Sequence, residues 1–139
     1  MITGIEISKV EAGRELNGAI TNMKFNINFD NVKVNQENIS VTFTFVATYE
    51  GSAQSKTTKV GELKITGDVI SKENKKDAEE IESTWKNKKT LPIKFAEDVI
   101  NILNFECGAR GTLVAYSIGF AAPIPISRAK LQETQGGAG

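Results

Sequence analysis

The chain has 139 residues, of which 40% are hydrophobic and 24% are charged, as expected for one globular domain. Its 17 basic and 17 acidic side chains give a formal net charge of zero. This balance argues against nucleic-acid binding, which normally needs an excess of basic residues. With no histidine and one cysteine, Cys107, the chain can form neither a Ser-His or Cys-His pair nor an intrachain disulfide. We therefore predict a cytoplasmic, non-enzymatic protein that uses no cofactor and no metal.

No part of the chain has the pattern of a targeting or membrane segment. The sequence opens without a basic region followed by an apolar run, so no signal peptide is predicted. The longest uncharged stretch, residues 111–127, is interrupted by Pro123 and Pro125 and is shorter than the ~20 apolar residues that span a bilayer. We expect no membrane span.

The front half of the sequence alternates in the manner of β-strands. Apolar residues occupy every second position of residues 21–29 and 39–49, and polar residues mostly lie between them. Residues 63–69 form a third such run, and residues 2–10 form a weaker strand that we place at a sheet edge. Asp30-Asn31 predicts a bend or a bulge in the second strand, and Gly67 predicts a bulge or a close backbone approach in the third well-defined run. One apolar face per strand predicts a four-stranded antiparallel sheet covered on one face.

The back half supplies helices to cover that face. Asn74 is predicted to cap a helix from about Lys75 to Lys88, in which acidic residues come early and basic residues late, as the helix dipole favours. Thr90-Leu91-Pro92 is predicted to open a second helix, with Thr90 near the cap and proline in the first turn. Its apolar pattern continues to Phe120 and leaves open whether residues 91–120 form one helix or two. We assign residues 1–131 to a single α+β domain and residues 132–139 to a disordered tail.

The second helix has more apolar surface than one sheet can cover. We therefore predict that another copy of the chain supplies a second cover, in a dimer or tetramer. The candidate interface residues are Phe95, Val99, Ile102, Leu103 and Leu113.

Individual reactive residues give no catalytic pattern. Glu79, Glu80 and Glu82 are interpreted as a solvated helix face, since charge runs usually are. Cys107 has no histidine to activate it and is interpreted as a buried structural thiol. The aromatic residues of the strands are interpreted mainly as core, and a peptide-binding groove at the margin of the same surface is kept as a second interpretation.

In strand lengths, one-sided sheet and the Leu91-Pro92 start of its terminal helix, the chain resembles the SecB-type protein-export chaperones, including their archaeal relatives. The resemblance is topological and covers residues 2–120. It implies a homotetramer that binds unfolded polypeptides in apolar grooves between sheet and helix, without nucleotide. By position, the implied groove residues are Phe25, Phe29, Phe43, Phe45, Trp85, Tyr116 and Phe120.

Three functions remain open from the sequence. The first is an ATP-independent holdase chaperone, and the second is a structural or adaptor homo-oligomer whose apolar surface is used up in self-assembly. The third is a carrier of a small hydrophobic ligand or an enzyme with a carboxylate mechanism, either of which would need a deep pocket lined by the aromatic stripe.

Overall fold

The computed structural model describes residues 1–16, 18–53, 56–120 and 123. In chain order, four strands precede two helices. They are β1 (Ile2–Arg14), β2 (Asn22–Asn35), β3 (Asn38–Ala53), β4 (Lys56–Lys72), α1 (Lys75–Lys88) and α2 (Ile93–Ser117). The predicted α+β fold, a four-stranded antiparallel sheet followed by two C-terminal helices, is confirmed. The predicted tail at residues 132–139 lies outside the described residues, as do residues 121, 122 and 124–131 of the predicted domain.

The sheet has the strand order β1-β4-β3-β2, with every neighbouring pair antiparallel. β2 and β3 form a tight hairpin in which Asn35 pairs with Asn38 and Gln36 takes a positive φ of 57°. β1 pairs with β4 across the sheet from β2, so the predicted edge position of the first strand is confirmed. β2 is the other edge strand.

Two irregularities in the strand register occur where the sequence predicts them. The register of β2 on β3 shifts between Phe29 and Asn31, which places the bulge at Asp30. The register of β1 on β4 shifts between Ile7 and Lys9, opposite Gly67. A Cβ atom at Gly67 would collide with the carbonyl oxygen of Glu6, so the glycine permits the close approach of β1.

The core lies between the sheet and the two helices. Every second residue of β3, from Ile39 to Tyr49, is fully buried, and the alternate residues between them are half-buried on the open face. α2 contacts β1 and β4, and α1 contacts β2. The strand alternation thus produces one apolar face, which both helices cover.

α1 is fixed by local signals at both ends. The Asn74 side-chain oxygen accepts a hydrogen bond from the Asp77 backbone N–H at 2.8 Å, which satisfies one of the free donors of the first turn. At the other end, Lys89 adopts the left-handed conformation and its N–H donates to the Trp85 carbonyl at 2.9 Å. The helix therefore begins and ends where the sequence predicts.

α2 is one continuous helix of 25 residues, which resolves the choice between one helix and two. Its start differs from the prediction: Pro92 occupies the cap position, no side chain caps the helix, and the first helical residue is Ile93. Its end differs too, because the helix stops at Ser117 and Phe120 lies beyond it. Gly111 lies inside the helix without interrupting it. A Cβ atom there would lie only 2.8 Å from Leu63 Cδ2 and 2.9 Å from Pro123 Cγ, so this glycine permits close packing.

Candidate functional site

The aromatic residues predicted to line a groove are distributed between the core and the surface. Phe43 and Phe45 on β3 are fully buried beneath the helices. Phe25 and Phe29 on β2 are half-buried, and the Phe25 ring centroid lies 6.1 Å from that of Phe45. Accessible aromatic surface on the sheet is therefore found at β2 and not at β3.

Phe120 closes the core at the C-terminal end of α2. Its ring stacks on Tyr49 with a centroid distance of 4.2 Å, and the Arg14 guanidinium carbon lies 5.4 Å from the Phe120 centroid. The Phe120 ring also occupies the space that a Cβ atom at Gly61 would need. Burial raises the pKa of the Tyr49 hydroxyl to about 12. These contacts make Phe120 a packing residue of this chain's own core.

The two remaining groove candidates lie on the helices. Trp85 is buried on α1, with the Lys89 ammonium 5.7 Å from its ring centroid. Tyr116 on α2 is 64% exposed and belongs to the helix face that points away from the sheet. The structure therefore brings Phe25 and Phe45 together but does not bring Tyr116 to the same surface.

The half-buried apolar row of β2 forms one accessible surface, which we name the β2 margin. It consists of Met23, Phe25, Ile27, Phe29, Val32 and Val34, all of which face the core side of the sheet. The matching row of β3 is completely buried, so the helices cover the sheet centre fully and its β2 edge only in part. Because β2 is an edge strand, alternate backbone N–H and C=O groups point away from the sheet.

A second accessible surface follows the outward face of α2, and we name it the α2 outer stripe. It consists of Ile102, Phe105, Ala109, Leu113 and Tyr116. Leu113 is 79% exposed and Phe105 is 71% exposed, which is unusual for side chains of this size and type. The stripe thus leaves large apolar groups in water along most of the helix.

The residues predicted to form an oligomer interface differ in their exposure. Phe95, Val99 and Leu103 are buried in the core of this chain, whereas Leu113 is exposed and Ile102 is half-buried on the outer stripe. The prediction omits Phe105, the second most exposed large hydrophobic residue of the stripe. Its spacing from Ile102 and Leu113, three and eight residues, is the signal that could have included it.

A cleft between the two helices has both charged and apolar walls. This cleft, of about 450 Å³, lies between the first turns of α1 and α2, and its walls include four carboxylates and Lys94. Glu80 is one of those carboxylates, and Glu79 and Glu82 are exposed on the same helix. Among the described residues, no group of three or more histidine, cysteine, aspartate or glutamate side chains is arranged to hold a metal ion.

Cys107 is fully buried on the inner face of α2, in agreement with its interpretation as a buried structural thiol. Burial raises the pKa of its thiol to about 12; the Arg110 charge opposes that shift and the Glu106 charge adds to it. The thiol of the folded chain therefore stays protonated at neutral pH.

Comparison of the chain with protein-family models, curated proteins and solved structures gives no match. Within the part of the chain that the structure describes, neither helix combines the length and the apolar character that crossing a membrane requires. The two apolar surfaces are therefore the features from which a function is inferred.

Proposed function

We propose that this protein is an ATP-independent holdase-type chaperone that acts as a cytoplasmic homo-oligomer. Unfolded polypeptides bind at the β2 margin, and the protein needs neither a cofactor nor a catalytic residue for this binding. The proposal is compatible with the architectural resemblance to SecB-type export chaperones. It is supported chiefly by one observation, the partial burial of the apolar row of β2 beside the full burial of the row of β3.

The geometry of the β2 margin suits an extended peptide. β2 is 14 residues long and no strand of the described residues pairs with its outer edge, so that edge offers backbone hydrogen bonds over ~45 Å of strand. An added strand would gain main-chain hydrogen bonds from this edge, and its side chains would contact apolar groups such as Phe25 and Phe29. Binding through the backbone depends little on sequence, which is what a chaperone with many clients requires.

The test is suppression of aggregation when a client protein is diluted from denaturant into a stoichiometric amount of this chain. We expect suppression by the natural sequence and weaker suppression by the double variant Phe25→Thr with Phe29→Thr. Threonine retains the strand preference of β2 and removes the apolar surface. Asn26→Thr, on the opposite face of the same strand, is the matched control and should behave as the natural sequence.

Denaturant unfolding of each variant accompanies this assay, because Phe25 also packs near Phe45 and its loss costs some stability. The comparison is made below the unfolding transition of every variant. If the natural sequence neither suppresses aggregation nor binds a permanently unfolded protein, client capture is refuted.

A structural or adaptor oligomer is the second candidate function, and the α2 outer stripe favours it. If self-assembly uses all of the apolar surface, a hydrophobic dye should bind weakly to the assembled protein. Strong dye binding that falls in the Phe25→Thr/Phe29→Thr variant would instead favour client capture at the β2 margin.

A further inference from the structure

The residues of the α2 outer stripe are spaced symmetrically about Ala109. Its members, Ile102, Phe105, Ala109, Leu113 and Tyr116, follow one another at intervals of three, four, four and three residues. At about 100° per residue they lie within ~80° of one another around the helix axis. The stripe is therefore a straight apolar band with a small residue at its centre.

We propose that this band is the contact surface for a second copy of the chain, with the two α2 helices antiparallel and a two-fold axis at Ala109. A two-fold axis pairs residues that lie equally far on either side of it. Phe105 then meets Leu113 of the second copy, and Ile102 meets Tyr116. Each large side chain thus faces another large side chain, and the small Ala109 side chains meet at the axis.

The side chains of the band favour a second copy over an unrelated partner. Ala109 at the centre lets the two helices approach closely, while Phe105 and Leu113 fill the space on either side. An unrelated partner gives no reason for the spacing to be symmetric about one alanine. In an antiparallel pair of identical helices with its axis at Ala109, this symmetry places every member of the band opposite another member.

The charges beside the band are also complementary under this axis. Arg110 Nε donates to Glu106 Oε2 at 3.2 Å within one helix. Both residues lie on one flank, and the axis brings the same flank of the second copy beside it. Arg110 is then offset by only ~3 Å along the helix from Glu106 of the second copy. The formal net charge of zero adds little repulsion between copies.

The area of the band predicts a weak dimer. Phe105, Leu113 and Tyr116 together leave on the order of 400 Å² per copy in water, given the usual size of such side chains. Specific interfaces at the small end bury about 600 Å² per partner. With the flanking residues included, we expect a dissociation constant on the order of micromolar.

Cysteine substitutions test the axis directly, with oxidised glutathione as the oxidant. Ala109→Cys lies on the axis and should form a disulfide-linked dimer. Ile102→Cys alone should not, because its two copies would lie ~21 Å apart along the helices. A mixture of Ile102→Cys and Tyr116→Cys should link across the dimer. The natural Cys107 is fully buried, so the natural sequence supplies the background.

Sedimentation across a range of concentrations tests the surface itself. We expect Leu113→Glu to weaken dimerisation at least tenfold, and Lys94→Glu, an exposed change near the start of the same helix, to leave it unchanged. The inference is overturned if Leu113→Glu dimerises as the natural sequence does. It is also overturned if Ile102→Cys links to itself as readily as Ala109→Cys.

The inference rests on the proposed homo-oligomer and not on client capture, and the two can fail separately. Linkage at Ala109→Cys without suppression of aggregation would refute the holdase and retain the dimer. Suppression by a chain that stays monomeric at every concentration would refute the dimer and retain client capture.

Discussion

The two faces of α2 have opposite compositions and opposite surroundings. From Val99 onwards the inner face consists of small and medium side chains that are buried against the sheet, including Val99, Leu103, Cys107, Gly111 and Ala115. The outer stripe has large side chains in water, of which Leu113, Phe105 and Tyr116 are the most exposed. From Val99 to the end of the helix, the aromatic side chains Phe105 and Tyr116 thus lie on the face that the core does not use.

This difference between the two faces shows that apolar side chains on one helix can serve both the stability of one copy and the association of copies. The inner face lets α2 lie close to β4, where even a single added carbon at Gly111 would meet Leu63 and Pro123 at under 3 Å. The outer face contributes little to the folding of one copy, because its side chains remain exposed. Changes on the inner face should therefore affect stability, whereas changes on the outer stripe should affect association.

The largest expected effect comes from shortening a leucine on each face. Leu103→Ala removes a fully buried side chain and should lower the free energy of unfolding by about 2–5 kcal/mol. Leu113→Ala removes one that is 79% exposed and should change it by less than about 0.5 kcal/mol. Urea unfolding at a concentration that keeps the chain monomeric measures both. Equal losses would show that the two faces do not differ as described.

An intermediate effect is expected from enlarging the small residue on each face to valine. Helix propensity alone predicts that Gly111→Val stabilises α2 and that Ala109→Val destabilises it. Packing predicts instead that Gly111→Val is the more destabilising of the two, because a larger side chain at Gly111 meets Leu63 and Pro123. Overpacking of this kind costs about 1–3 kcal/mol. We therefore expect the monomer of Gly111→Val to have a lower melting temperature than the monomer of Ala109→Val. The opposite ranking of melting temperatures would contradict the close contact at Gly111.

Local signals made α1 and the strand irregularities predictable from sequence. Asn74 accepts from the N–H of Asp77, three residues away, so the start of α1 depends on neighbours that a reader of the sequence can see. The bulge at Asp30 and the close approach at Gly67 also lie where single residues indicated them. In these places the sequence signal is a single residue or a few neighbouring ones, even where, as at Gly67, the contact is with a distant strand.

Long-range packing explains why the ends of α2 and the division of its apolar residues were not predictable. Apolar residues occur on both faces of α2, so the sequence pattern does not show which of these residues the sheet will cover. Phe120 continues that pattern but leaves the helix to stack on Tyr49, far away in the sequence. The candidate interface therefore mixed buried residues such as Val99 with exposed Leu113. Only the position of α2 on β1 and β4 separates the two groups.

The effect that is smallest at neutral pH concerns the pH dependence of stability that Cys107 introduces on the inner face, because this dependence appears only above pH 9. Burial raises the pKa of this thiol from 9.0 to about 12. The folded chain therefore favours the protonated thiol, and this contribution to stability is complete below pH 9. Above pH 9 the unfolded chain loses the proton first, so the contribution falls as pH rises towards 12.

Cys107→Ala should therefore make the unfolding free energy less dependent on pH between 9 and 12. The expected change in slope is at most about 1.4 kcal/mol per pH unit, which corresponds to one proton. Tyr49, whose pKa burial also raises to about 12, retains part of the dependence in the variant. If the unfolding free energies of the natural sequence and of Cys107→Ala change with pH in the same way, burial does not keep the Cys107 thiol protonated. As the matching test on the outer face, an Ala109→Cys thiol should react with a thiol reagent at pH 8 in the folded chain at a concentration that keeps it monomeric. Cys107, which is fully buried, should react only as the chain unfolds.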